Sequence, residues 1–224
     1  MRGMLKRVVS FFLVPATRWY LRKERGYTYN GVGITVLPGV FHPGLFYSTK
    51  FLLAFLREQS LVNESLLELG CGSGLISVMG AKAGARVTAI DLNQEAVRNA
   101  QINARSAGVV VDVVHSDLFE QVEGQTFDWI VINPPYYANA VHTEAELAWH
   151  CGEAFEYFSR LFSTLGAHRH AGTRVLMVLS QDCELERIFA IAMENGFKFV
   201  VLREKDVWLD GKNFIYEIKP VVSK

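Results

Sequence analysis

Ser65-Leu66-Leu67-Glu68-Leu69-Gly70-Cys71-Gly72-Ser73-Gly74-Leu75 is the run that decides the fold of this chain. Ser65 to Leu69 is a short apolar strand-type segment, and Leu75 to Ala83 is helix-type. A glycine loop between a strand and a helix is the setting in which a backbone meets a ligand. Three closely set glycines let the main chain approach that ligand with no side chains in the way. They fall at 70, 72 and 74, whereas a dinucleotide-binding loop spaces them as GxGxxG. No lysine follows as it does in a phosphate-binding P-loop, so a pyrophosphate ligand is disfavoured.

From about residue 64 onward, β-type runs alternate with helix-type segments, the mark of a parallel sheet covered on both faces. Strands are expected at Arg86 to Ile90, Val109 to Val114, Phe127 to Ile132 and Arg174 to Leu179. Asn93 is placed to cap a helix running to about Ala107, with Glu95 in the first turn where the helix dipole favours an anion. Glu144 to about Leu165 and Cys183 to Glu194 are expected to be helical. Phe197 to Leu202 and Phe214 to Ile218 flank Asp210-Gly211, a hairpin signal. Upstream, Gly33 to Leu37 reads as a short strand, and Ser48 to Arg57 as a helix capped by Ser48 or Thr49. The expected class is α/β: a doubly wound, mostly parallel seven-stranded sheet with a C-terminal antiparallel hairpin. It would occupy residues 31–224, behind a basic arm over residues 1–30.

Half of the 224 residues are hydrophobic, enough for one full core. Lysine plus arginine equal aspartate plus glutamate at 23 each, so global attraction to nucleic acid is not implied. The distribution is uneven. Arg2, Lys6, Arg7, Arg18, Arg22, Lys23 and Arg25 stand against Glu24 alone, which gives the first 25 residues a charge of about +6. Trp19, Tyr20, Tyr27 and Tyr29 are interleaved with these cations, a composition that can combine phosphate contacts with base stacking or can be a solvated helical face. Cys71, Cys151 and Cys183 are odd in number and far apart, which argues against a disulfide framework and for the cytoplasm. The apolar run from Val8 to Val14 is seven residues long, ends at Pro15 and has no small-residue cleavage site after it. It is too short to span a bilayer, so no integral membrane segment is expected.

Two acids follow the glycine loop in order. Asp91, twenty-one residues after Gly70, ends the next strand, where a carboxylate can accept from both hydroxyls of a ribose. Asp117 follows the strand after that and can accept from an adenine amino group. Ile130-Val131-Ile132-Asn133-Pro134-Pro135-Tyr136-Tyr137 then runs an apolar strand into two prolines. Asn133 would stand at the carboxyl end of that strand, and Pro134-Pro135 would stiffen the loop. The Asn133 side chain and the Pro134 carbonyl would then face the pocket, a corner suited to an acceptor bearing NH2. Tyr136 could stack on a planar acceptor and bring its π face near a cation.

An ExGxGxG loop, an acid after the second strand, an acid after the third and Asn-Pro-Pro-Tyr after the fourth resemble the class I S-adenosylmethionine-dependent methyltransferases. The resemblance covers about residues 30 to 220. It implies a Rossmann-like methyltransferase fold with S-adenosyl-L-methionine as cofactor. Glu68, Gly70, Cys71, Gly72 and Gly74 would pass under its methionine and ribose portion, Asp91 and Leu92 would hold the ribose, and Asp117 and Leu118 would flank the adenine. The last motif is similar to the (D/N)PP(Y/F) signature of enzymes that methylate planar exocyclic or side-chain amide nitrogens. It implies catalytic roles for Asn133, Pro134 and Tyr136, with Asn133 also at the cofactor and Pro135, Tyr136 and Tyr137 at the acceptor. Leu37-Pro38-Gly39-Val40-Phe41 and Ser48-Thr49-Lys50-Phe51-Leu52-Leu53 resemble a segment of the small-domain methyltransferases of ribosomal RNA guanine. Related segments occur in release-factor glutamine and tRNA adenine enzymes. Here Phe46 and Tyr47 replace the acid usual before the Ser/Thr.

The implied activity is methyl transfer to a planar amino or amide nitrogen of RNA. A glutamine side chain on a protein, or a non-catalytic cofactor-binding adapter, is the alternative. No metal is expected: His142, His150 and Cys151 have no second Cys/His cluster nearby. His168-Arg169-His170 reads as a helix C-terminus and loop, and Cys71 as a small filler.

Overall fold

The computed structural model describes residues 20–135, 151–208 and 211–221. Two short strands, β1 (Arg25–Tyr29) and β2 (Val32–Val36), pair as an antiparallel hairpin. Its turn is Asn30-Gly31 with φ of 47° and 79°, the mirror-image geometry that matches strand twist. Helix α1 (Tyr47–Leu56) follows. The chain then alternates β3 (Ser65–Leu69), α2 (Leu75–Lys82), β4 (Arg86–Asp91), α3 (Gln94–Ser106), β5 (Val111–His115) and β6 (Phe127–Ile132). It ends with α4 (Glu156–Leu165), β7 (Arg169–Ser180), α5 (Leu185–Glu194), β8 (Phe197–Val207) and β9 (Gly211–Pro220).

Seven of these strands form one sheet in the order β5-β4-β3-β6-β7-β9-β8. All neighbours from β5 to β7 are parallel, and β9 lies antiparallel between β7 and β8. This is the expected mostly parallel sheet with its C-terminal antiparallel hairpin.

Both faces of the sheet are covered, which is why β3 and β6 carry apolar residues almost continuously. Successive residues sort to opposite sides. Leu67, Leu69, Ile130, Ile132, Val175 and Met177 pack with Phe158, Leu161 and Phe162 of α4. Leu66, Trp129, Val131, Leu176 and Val178 pack with Leu52, Leu53 and Leu56 of α1. Each fully buried Leu or Phe contributes about 1.5–3 kcal/mol over its exposed state, so the two clusters carry most of the stability.

The small hairpin is fastened to this sheet through α3. Asn99 and Asn103, one turn apart and buried, both point at β2. The Thr35 N–H donates to Asn103 Oδ1 at 2.8 Å, and the Thr35 carbonyl accepts from both amide groups. Asn103 also donates to the Ser73 carbonyl at 2.8 Å. Buried polar groups need such partners. Here they tie an N-terminal strand to the glycine loop.

Asn93 caps α3 as expected, its Oδ1 accepting from the Glu95 N–H at 2.8 Å. Four other expectations are corrected. The cap of α1 is Phe46, with no side-chain hydrogen bond; Ser48 and Thr49 lie inside the first turn and are buried. Helix α4 begins at Glu156 rather than near Glu144, because Gly152 and Phe155 take left-handed φ of 87° and 63°. Phe155 reaches the core through that turn and is fully buried; residues 144–150 lie outside the described residues. Strand β7 starts at Arg169, directly after a 3-10 turn over Gly166–His168, so His168-Arg169-His170 is turn running into strand. Strand β5 starts at Val111, two residues later than expected. No helix among the described residues is long and apolar enough to cross a membrane.

Candidate active site

A half-open cavity of about 520 Å³ lies at the carboxyl ends of β3, β4 and β6 and the loop after β5. That is the crevice in which open α/β sheets bind ligands, and the volume suits a cofactor-sized molecule.

Its floor is the loop after β3. Gly70, Gly72 and Gly74 take φ of 78°, 51° and 75°, a region that other residues enter only with strain. A Cβ on Gly70 would stand in open space and one on Gly72 would lie 3.7 Å from Phe41 Cβ, so the backbone there is bare toward the cavity. Gly74 differs. It is not part of the lining, and a Cβ there would lie 2.7 Å from Ala100 Cβ, so this glycine serves the contact of α2 with α3.

Glu68 lines the cavity, but one carboxylate oxygen turns back to α2. Oε2 accepts from the Ser77 N–H at 2.8 Å and from the Ser77 hydroxyl. Burial pushes the Glu68 carboxyl up to about 8, against the two Ser77 bonds and with help from the Asp91 charge. Cys71 also lines the cavity, and burial raises its thiol well above the ordinary value, so it is held as a neutral filler.

Asp91 ends β4. Its Oδ2 accepts from the Gly72 N–H at 2.8 Å and its Oδ1 from the Asn93 N–H at 2.9 Å, which orients the carboxylate beside the loop. Desolvation raises its pKa while those bonds oppose the rise. Each oxygen keeps a second lone pair for a further donor. Leu92 lines the next stretch, with its carbonyl 2.7 Å from His115 Nε2.

Asp117 and Leu118 close the far end, Leu118 with a left-handed φ of 50°. The Asp117 Oδ2 is engaged by Arg160 Nη1 at 2.9 Å, and the same guanidinium reaches Glu120 at 3.4 Å. Arg160 and Tyr157, both on α4 and both cavity-lining, were not singled out from the sequence. Burial drives the Tyr157 phenol far up, so it stays a protonated donor.

Asn133 stands at the end of β6, half-buried, with Pro134 buried and Pro135 half-buried beside it. All three line the same cavity as the glycine loop and Asp91. The Asn133 Nδ2 donates to Thr49 Oγ1 at 3.3 Å. Val40, Phe41 and Pro43 from the loop after β2, with Ser48 and Thr49 of α1, complete the lining. Tyr136, Tyr137, His142 and His150 lie outside the described residues, as do the basic-arm residues before Tyr20. Among the described residues, no group of three or more His, Cys, Asp or Glu is arranged for a metal ion.

The profile of the methyltransferase small domain matches residues 31–197, about three quarters of the chain. The chain belongs to that family. It is similar to the ribosomal protein L11 methyltransferase of Thermotoga maritima, 39% identical over 106 residues that cover 46% of this chain and 40% of that protein. It is 33% identical over 114 residues to ribosomal RNA small subunit methyltransferase C of Escherichia coli, covering 50% of this chain and 32% of that protein. A Methanocaldococcus jannaschii protein assigned as a protein N5-glutamine methyltransferase is 37% identical over 107 residues, covering 47% and 52%. The chain thus spans about a third to a half of the length of these curated relatives. Among solved structures, the RsmC methyltransferase of T. thermophilus, in complex with AdoMet and guanosine, superposes with a TM-score of 0.61 at 21% identity. That match covers 87% of this chain and 50% of that one. The Mtq2–Trm112 complex of E. cuniculi gives 0.62 at 18%, covering 81% and 99%. These likenesses establish a Rossmann-like methyltransferase fold for the family member described above.

Proposed function

We propose that the chain transfers a methyl group from S-adenosyl-L-methionine to a planar amino or amide nitrogen, with an RNA base as the acceptor. The observation that carries this reading is the corner of Asn133, Pro134 and Pro135 lining the same cavity as the glycine loop and Asp91. A nucleoside-recognising end and an amino-recognising end share one space.

The residues present fit the cofactor. Gly70 and Gly72 leave bare backbone for the methionine and ribose portion, beside Glu68 and Cys71. The Asp91 carboxylate, held by the Gly72 and Asn93 N–H groups, has lone pairs left for the ribose hydroxyls. Asp117, oriented by Arg160, would accept from the adenine amino group, with Leu118 against the ring. Bound there, the cofactor supplies an electrophilic methyl carbon on a sulfonium.

The chain's own contribution is then positioning. Asn133 Oδ1 and the Pro134 carbonyl accept the two hydrogens of an acceptor NH2, which turns the nitrogen lone pair out of conjugation and toward the methyl carbon. Pro135 holds the corner stiff, and Tyr136 with Tyr137 would stack on the acceptor plane. A nitrogen that has gained a methyl group is acidic and releases its proton to water, so no side chain need act as a base. On this reading residues 31–224 form the methyltransferase domain, residues 1–30 a basic arm that contacts acceptor phosphates and whose last stretch, β1, pairs with the domain's β2, and the buried free cysteines suit the cytoplasm.

A glutamine side chain on a protein is the second reading, favoured by the N5-glutamine methyltransferase relative. Tritiated S-adenosylmethionine offered to total RNA and total protein from cells lacking the chain separates the two. Label in RNA is the expected result; label only in protein selects the second reading. Cofactor binding seen by isothermal titration, with no label in either fraction, would instead mark a non-catalytic cofactor-binding adapter.

A further inference from the structure

We propose that Thr49 is a positioning residue that holds the Asn133 side chain in place at the acceptor corner. The inference rests on the amino-methyltransferase reading above and adds a residue to it. An asparagine side chain has two ends of nearly equal size, an acceptor oxygen and a donor NH2, and only its hydrogen bonds choose between them. In this site Nδ2 donates to Thr49 Oγ1, 84 residues away in sequence, at 3.3 Å. With the NH2 end engaged, Oδ1 is the end left for the cavity. The reversed amide would set its own NH2 against the acceptor NH2, donor against donor, and the lone pair would not be aimed.

The sequence expectation gave Thr49 a different task, that of a helix cap. The structure leaves the cap to Phe46, with no side-chain cap hydrogen bond, so the Thr49 hydroxyl is not consumed by the helix terminus. The turn that carries Thr49 is fixed from several sides. Lys50 Nζ donates to the Gly44 carbonyl at 2.8 Å, Phe46 stacks on Phe41 with ring centroids 5.1 Å apart, and Tyr47 stacks on Phe51 at 5.5 Å. Thr49 itself is buried and lines the cavity beside Asn133. A hydroxyl oxygen so held is a fixed anchor for the Asn133 side chain. The arrangement also limits the acceptor class: an exposed Oδ1 rewards a nitrogen that still bears hydrogens and offers nothing to an oxygen nucleophile without one to donate.

Thr49→Val keeps the shape and deletes the hydroxyl, and Thr49→Ser keeps the hydroxyl. Turnover is read as label transferred to the RNA or protein fraction that the wild-type chain labels. The expected result is a fall in kcat of about tenfold for Thr49→Val, the rate equivalent of one hydrogen bond. KM for the acceptor and the Kd for S-adenosylhomocysteine, titrated calorimetrically, should stay within about twofold of wild type. Thr49→Ser should recover most of kcat. The Asn133 side-chain NH2 signals in a 15N correlation spectrum, identified by their loss in Asn133→Ala, should move in Thr49→Val and stay in place in Thr49→Ser. Unmoved amide signals in a folded Thr49→Val chain, or equal losses of kcat in both variants, overturn the proposal. Should Asn133→Ala itself keep full turnover, the failure belongs to the reading of the corner and not to Thr49.

Discussion

Replacing Gly74 with Ala tests whether the third glycine of the loop is there for a helix contact. Two costs add. The residue would have to hold φ near 75°, which costs about 1–2 kcal/mol for a side chain with a Cβ. Its methyl would also sit 2.7 Å from Ala100 Cβ and 2.9 Å from Ala100 Cα, an overlap with a helix backbone that costs about 1–3 kcal/mol to relieve. Gly74→Ala should therefore lose about 2–5 kcal/mol in urea unfolding. At about 2–4 °C per kcal/mol for a domain of this size, Tm should drop by roughly 4–20 °C. Adding Ala100→Gly removes the contact with the Cβ and leaves the approach to the residue-100 Cα and the strain. That second change alone costs about 0.5–1 kcal/mol in a helix, so the pair should be coupled in a double-mutant cycle by a part of the roughly 1–3 kcal/mol overlap cost. Gly70→Ala meets nothing within 4 Å and should lose only the strain. A Gly74→Ala chain as stable as wild type, or a cycle with no coupling, refutes the assignment of Gly74 to helix packing.

The Glu68 carboxyl, raised to about 8 from an ordinary 4.5, holds a proton in the folded chain that the unfolded chain has given up. Stability should thus be full below about pH 4.5 and decline toward pH 8 by roughly 1.4 kcal/mol per unit; urea midpoints of Glu68→Gln should lack that slope, and an unchanged slope would count against it. Asn103→Ala strips the Thr35 N–H of its acceptor and the Thr35 and Ser73 carbonyls of a donor, at about 1–3 kcal/mol for the unpaired groups. Hydrogen exchange should show the Thr35 amide losing protection first, and continued protection would mean that α3 does not hold the hairpin. Asn133→Ala should leave calorimetric cofactor affinity within a few-fold and remove turnover; joint loss of both would contradict its place at the acceptor.

Strands β3 and β6 were readable to the residue because both faces are buried and their apolar runs end sharply at Gly70 and Asn133. The α3 cap was readable because asparagine before an acidic first turn is a local signal with a local cause. Thr49 was misread for the converse reason: its hydroxyl serves a partner 84 residues away, and only packing shows that. The α4 start was missed because Phe155 accepts a left-handed backbone in exchange for full burial, a tertiary effect that overrides helical pattern. Asn30-Gly31 is a hairpin signal in the sequence, and the strand before it, β1, belongs to the stretch expected as a basic arm. At the site, Asp91 and Asp117 were placed at the cavity by their positions after successive strands. Arg160 and Tyr157 carried no comparable signal, as nothing in the spacing of α4 reveals which turn reaches the loop after β5.

Strand β9 is made after β8 yet lies inside it, between β7 and β8. During synthesis the long edge of β7 and the whole of β8 must therefore wait, unpaired, for residues 211–220 to emerge. Until they do, Val175, Met177 and Leu179 present an open ladder to any passing chain. Final closure depends on a segment far from the cavity, so a frameshift or nick there would send the nascent protein toward aggregation before its chemistry could be assayed.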